Sequence, residues 1–166
     1  MHPNPTRITM KTPSHRLRLA LLVCALTLPA WACGDDDPLG PEDVNYAPEL
    51  GVDLSQMTRL PTGVYVQTLT VGLGSYAVQA SDSVEIDYTL WLPDATVIQA
   101  DEVGIHVTRL IPGFRDGILD MVEQEVRLIV VPPERGYGSN PPTSSGIPPN
   151  SVLVFRVELL EVPSKS

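Results

Sequence analysis

The sequence predicts an α+β fold: an antiparallel β-sheet wrapped over one short α-helix. Three observations predict it. Apolar residues recur at every second position from Ser83 to Leu92, from Val126 to Val130 and from Leu153 to Leu160. That is the period of strands with one face on a core. After a break at Pro112-Gly113, Phe114, Ile118, Met121 and Val122 recur at helical spacing, with Arg115, Asp116, Glu123 and Gln124 between them. The apolar stripe of that helix must cover a sheet, because nothing else in the chain is large enough.

The chain begins with an address. A basic region ends at Arg18, Leu19 to Leu28 is an uncharged apolar run, and Ala30-Trp31-Ala32 offers small residues at the two positions a signal peptidase reads. The run is too short to span a bilayer as a stable helix. Residues 1–32 therefore read as a signal peptide, with plain secretion and lipid anchoring both open at this boundary. A small residue, then Cys33, then Gly34-Asp35-Asp36-Asp37 resembles a bacterial lipoprotein boundary, at which Cys33 would be the lipidated first residue. Several acyl chains, at about 0.8 kcal/mol per buried CH₂, would hold such a protein on a membrane. Cys24 falls in the removed segment, so the folded domain is expected to have no disulfide.

From Gly34 to Pro61 the chain is rich in Asp, Pro, Gly and Asn and has no sustained periodicity. Residues 33–62 read as the lipidated cysteine and a flexible linker. Leu50, Val52, Leu54 and Met57 are expected to pack as a short cap on the domain at 63–163. A monomer is expected.

Within the domain, Val64 to Val71 is the first strand candidate, ended by Gly72-Leu73-Gly74. In the next, Val84, Ile86, Tyr88 and Leu90 share one face and Glu85, Asp87 and Thr89 the other. Pro93-Asp94 is turn chemistry. Thr96 to Gln99 and Gly104 to Arg109 read as two further extended segments, followed by the helix. Val126, Leu128 and Val130 then alternate with Arg127 and Ile129, and Leu153, Phe155, Val157 and Leu159 alternate with Val154, Arg156, Glu158 and Leu160. The loop joining these two strands is rich in proline and glycine and carries Tyr137. Proline fixes φ, so the loop can be stiff without being helical, a suitable wall for an apolar pocket.

Charge and composition exclude several functions. The chain carries a net charge of −9, which argues against nucleic acid as a partner. Four basic residues, Arg7, Lys11, Arg16 and Arg18, precede Cys33 whereas every acidic residue follows it, so a processed chain is more acidic still. His106 is the one histidine after Cys33, too few for a zinc site and without a nucleophile motif for a triad. There is no phosphate loop or dinucleotide fingerprint, and no cofactor or metal is implied. Glu123 with Glu125 and Asp116 with Asp120 read as a solvated helix face. One reaction needs none of these groups. Rotation about an X–Pro bond meets a barrier of ~18–20 kcal/mol from amide resonance. An apolar cleft that desolvates the proline and prefers the twisted amide lowers it without acid, base or nucleophile.

Three stretches carry a family resemblance. They are Val84-Glu85-Ile86-Asp87-Tyr88-Thr89, Leu110-Ile111-Pro112-Gly113-Phe114, and the run from Pro132 through Gly136-Tyr137-Gly138 and Ile147-Pro148-Pro149 to Val157-Glu158-Leu159-Leu160. Together they closely resemble an FKBP-type peptidyl-prolyl cis–trans isomerase domain, over roughly residues 63–162. The resemblance implies a sheet half-wrapped around its helix and a pocket for Pro-containing polypeptides. It places Tyr88, Tyr137 and Phe155 in the catalytic pocket and Leu110, Ile111, Phe114 and Ile147 around the substrate. The backbone N–H of Ile111 would donate to a substrate carbonyl and the Tyr137 hydroxyl would touch substrate. Ile98-Gln99 stand where the family has Phe-Asp, and Phe114 where it has tryptophan. The segment from Gly104 to Arg109 is shorter than usual and lacks the expected aromatic.

The leading expectation is an exported, lipid-anchored isomerase, periplasmic or elsewhere in the cell envelope, that assists the folding of envelope proteins. A catalytically weak binding module or chaperone for Pro-containing segments is the alternative, motivated by Ile98-Gln99. A structural lipoprotein sharing only the fold is a third, since fold does not fix function.

Overall fold

The computed structural model describes residues 38–163. The expected signal peptide and Cys33 lie outside the described residues. The elements are β1 (Thr58–Arg59), β2 (Tyr65–Thr70), β3 (Ser83–Trp91), β4 (Val97–His106), α1 (Pro112–Ile118), β5 (Val126–Val131) and β6 (Leu153–Glu161). All strands join one antiparallel sheet in the order β1-β2-β5-β6-β3-β4. The α+β class expected from the sequence is the one observed.

Register explains which residues go inside. Val66, Ile129, Phe155, Leu90 and Gln99 oppose one another across β2, β5, β6, β3 and β4. Thr68, Arg127, Val157, Tyr88 and Asp101 form the neighbouring row on the same face. This inner face meets α1, and Ile86, Ile118, Ile129, Phe155, Val157 and Leu159 are buried between them. The alternation read in β3 and β6 falls on this face. In β5 the alternating set Val126, Leu128 and Val130 points the other way, and Ile129 and Val131 face the helix.

The outer face is covered by the segment read as a linker. Tyr65, Val130, Val154, Trp91 and Val97 form one outer row. Val44, Tyr46, Leu50, Val52, Leu54 and Met57 pack on Tyr65, Leu128, Val130, Val154 and Trp91 as a second apolar cluster. The short cap thus includes the four residues expected of it and extends back to Val44. Backbone and side-chain bonds hold it: Ala47 N–H donates to the Pro93 carbonyl at 2.8 Å, and Tyr65 donates its hydroxyl proton to Glu42. Beyond the cap the outer face turns acidic. Glu158, Asp87 and Glu102 lie directly opposite one another on β6, β3 and β4.

Two elements differ from the sequence reading. The segments 96–99 and 104–109 are not separate: β4 runs for 10 residues because Gln99, Asp101, Val103 and Ile105 keep step with β3, the register shifting only between Leu90 and Trp91. The helix is shorter than its apolar spacing suggests. It closes at Ile118, Asp120 takes a left-handed φ of 63°, and Met121 reaches the core from the following turn.

Candidate active site

α1 is pressed tightly onto β5, and two glycines permit it. A Cβ at Gly113 would stand 2.3 Å from Val131 Cγ1, and one at Gly117 would stand 2.5 Å from Ile129 Cγ2. With the helix so close, Phe114 projects into the sheet at the level of Phe155 and Tyr88. The Phe114 and Phe155 rings stack 4.3 Å apart at 10°. Tyr88 lies 5.6 Å from Phe114 and 6.4 Å from Phe155, tilted to both. Both phenylalanines are buried, while Tyr88 is half-buried.

These rings close the inner end of a cleft of about 160 Å³. Leu110 and Ile111, entering α1, form one side, and Tyr137 stands on the loop after β5. Gln99 and Ile105 of β4 and Leu90 of β3 complete the lining. The cleft thus gathers Tyr88, Gln99, Leu110, Ile111, Phe114, Tyr137 and Phe155 of the residues read from the sequence. Ile98 and Ile147 do not line it; both pack against the same apolar core instead. Leu90 and Ile105 were missed. Leu90 shares a face and a two-residue spacing with Tyr88, which could have found it. Ile105 is the apolar residue standing in the segment noted for lacking an aromatic.

The polar groups around the cleft are few and free. The hydroxyls of Tyr88 and Tyr137, the Gln99 amide and the Ile111 N–H make no hydrogen bond to another described residue. Ile111 is extended at φ −58° and ψ 148° just ahead of the first helical turn, where an N–H has no intrahelical partner. Burial raises the pKa of Tyr88, and the charges of Asp101 opposite it and of Tyr137 add to the effect, so its phenol is neutral at physiological pH. Among the described residues no group of three His, Cys, Asp or Glu could hold a metal. His106 accepts from the Thr108 N–H at 3.3 Å and caps a short turn.

A wider surface groove runs between β1–β2 and the end of α1, past Leu60, Leu119, Asp120 and Arg127. Arg127 is already bonded to Glu125 and to two helix carbonyls. The aromatic cleft is smaller but holds unsatisfied donors above an apolar floor, the combination expected of a small-ligand site.

Comparison with known proteins identifies the family. A family model described as FKBP-type peptidyl-prolyl cis-trans isomerase matches residues 74–160. FkpA, an FKBP-type peptidyl-prolyl cis-trans isomerase of Escherichia coli, is 34% identical over 122 residues, covering 70% of this chain and 42% of FkpA. FK506-binding protein 1A of Emericella nidulans is 35% identical over 109 residues, covering 60% of this chain and 98% of that protein. The crystal structure of Escherichia coli FkpA superposes with a TM-score of 0.60 at 30% identity, covering 69% of this chain and 54% of that one. The chain thus spans under half the length of FkpA and nearly all of the shorter relative. With the antiparallel sheet and the short helix packed on it, these matches establish that the chain belongs to the FKBP-type peptidyl-prolyl cis-trans isomerase family.

Proposed function

We propose that the chain catalyses cis–trans isomerisation of X–Pro bonds in exported envelope proteins, with the aromatic cleft as its site. One observation carries the reading: an apolar floor of stacked Phe114 and Phe155 lies beneath free donors from Ile111 N–H and the Tyr137 hydroxyl. The floor takes the pyrrolidine ring out of water. Ile111 N–H holds the substrate carbonyl that follows the ring, and Tyr137 donates from the opposite wall. A twisted prolyl amide has lost its C–N double-bond character and its carbonyl is less polar. A dry cleft therefore disfavours it less than the planar ground state. The uncatalysed step takes tens of seconds or more, so even modest selection for the twisted form is useful to a folding chain.

Residues 1–32 serve as a signal peptide, Cys33 is the lipidated residue, and 63–163 is the isomerase domain, acting as a monomer at the cell envelope. The order Ala30-Trp31-Ala32-Cys33-Gly34 supports this anchoring. Gln99 favours a second reading. It brings an amide to the cleft where a carboxylate would polarise the site, which fits a module that holds Pro-containing segments without turning them.

A protease-free isomerisation assay of the full chain in detergent, on a Leu-Pro peptide, separates the two. The isomerase reading expects acceleration that falls up to about tenfold in Tyr137→Phe, the order of one lost hydrogen bond. Binding of the peptide without acceleration would replace it with the holding module, and neither would leave the fold alone.

A further inference from the structure

Tyr137 stands between two glycines, with Gly138 in the left-handed region at φ 56°. Such a segment does not fix its own side chain. The turn ahead of it is held from within: Arg135 N–H donates to the Pro132 carbonyl, and the N–H groups of Gly136 and Gly138 both donate to the Pro133 carbonyl, each at 3.0 Å. None of these bonds sets the turn against the helix that bears Phe114. That contact is made by Arg135. Its Nη2 donates to Asp116 Oδ2 at 2.5 Å, and its backbone carbonyl lies so near Gly113 that a Cβ there would approach to 3.0 Å. Asp116 is two residues from Phe114 on α1, and Arg135 is two residues from Tyr137 in the loop. The pair therefore ties the floor of the cleft to its wall.

The surroundings make the tie firm. The side chains are 30% and 15% exposed, so water and salt screen them less than a surface pair. Arg135 Nε is buried and has no hydrogen-bond partner among the described residues, so the guanidinium depends on Asp116. The tie joins a cation on the loop to a largely enclosed anion on α1.

We infer that Asp116 and Arg135 form a positioning latch that sets Tyr137 relative to Phe114 and so fixes the width of the prolyl cleft. Its effect on turnover rests on the isomerase reading; its effect on Tyr137 does not. Asp116 and Arg135 are positioning residues and act through Tyr137. A bridge that merely stabilised the domain would lower the melting temperature and leave the folded protein's rate unchanged.

The test is a mutant cycle on the full chain, at a temperature where every variant is folded by circular dichroism. Arg135→Met and Asp116→Asn should each lower kcat/KM on a Leu-Pro peptide by about tenfold, within what an ångström of misplacement removes. Asp116→Glu should recover most of the loss. Combined with Tyr137→Phe, Arg135→Met should lower the rate no further than Tyr137→Phe alone, because both act on one group. Losses that multiply, or no loss in either single variant, overturn the latch. The second readout needs no turnover: the Tyr137 ring resonances should move in Arg135→Met and Asp116→Asn, while those of Tyr46 on the outer face stay put. An unmoved Tyr137 ring overturns the inference. A wild-type chain that accelerates no peptide removes the isomerase reading and leaves the ring resonances to decide the latch.

Discussion

Arg127 caps the helix on which the cleft depends. Its Nη1 donates to the carbonyls of Gly117 at 2.8 Å and Leu119 at 3.0 Å, groups that the end of α1 leaves without intrahelical partners. Its Nε and Nη2 donate to Glu125 Oε1 at 2.9 and 2.7 Å. Glu125 in turn accepts from the Thr68 hydroxyl and the Val122 N–H. Both charged side chains are nearly enclosed, so removing one strands the other. Arg127→Met should therefore cost about 3 kcal/mol or more, against under about 1 kcal/mol for an exposed pair. Urea unfolding of the two forms checks it, and an unchanged midpoint would mean that water replaces the guanidinium. The sequence does not disclose this role. Arg127 reads as the polar member of an alternating strand, and its carbonyl partners lie eight and ten residues back. The same distance problem hides Asp116 and Arg135, 19 residues apart. The aromatic residues were legible because large rings in a chain with 5% aromatics have few places to go.

The helix is the element that sets the cleft, and it is poor in its own stabilisation. It has seven residues, no side chain capping its first turn, and glycine at two of them. Isolated helices of that length do not persist in water, so packing on β5 holds it. Gly117 is one of the two points at which that packing leaves no room for a Cβ. Gly117→Ala would gain helix propensity of about 1 kcal/mol. It would also drive a methyl into Ile129, and overpacking of this kind costs about 1–3 kcal/mol. Because Ile129 is buried in the middle of β5, it has nowhere to yield. The net loss should appear as a lower melting temperature and, through the displaced Phe114, as weaker peptide binding. A neutral or stabilised variant would show that α1 can lift off the sheet. At this scale periodicity served β3 and β6, whose outer faces are partly polar. It misled for β5, because a strand buried on both faces offers apolar residues at every position and leaves the inner set undecided.

Across the whole domain, the sheet is covered on both sides, by the helix within and by residues 44–57 without. Composition made that second layer look like a tether: it has turn residues in quantity and no period. Its few apolar side chains find a partner in the apolar outer row from Tyr65 to Trp91. One corner of the layer should respond to acid. The Tyr65 hydroxyl bond, and to a smaller extent Arg59, hold the pKa of Glu42 below its ordinary value of 4.5. A carboxylate lowered in the folded state stabilises fully above its ordinary pKa, and that contribution is lost as pH falls through the lowered value. Acidification below about pH 4.5 should therefore loosen the layer. Tryptophan fluorescence from Trp91 beneath it should report the change, and Glu42→Gln should flatten the acid limb. An acid limb identical in Glu42→Gln would assign the sensitivity elsewhere.

The strand order also decides how the molecule carries load. β1 is a two-residue edge strand, paired on one side only, and the segment ahead of it is fastened by scattered bonds such as that from Ala47 to Pro93. β6, next to the other end of the domain, is hydrogen-bonded along its length to β5 and β3. Tension applied between Leu39 and Val162 meets the weak fastening first. The outer layer peels bond by bond, while β6 resists as a unit. The cleft is built from β3, β4, β6, α1 and the loop after β5, and none of these lies in the part that yields. Stretched from its N-terminal side, the domain would lengthen before it lost its pocket.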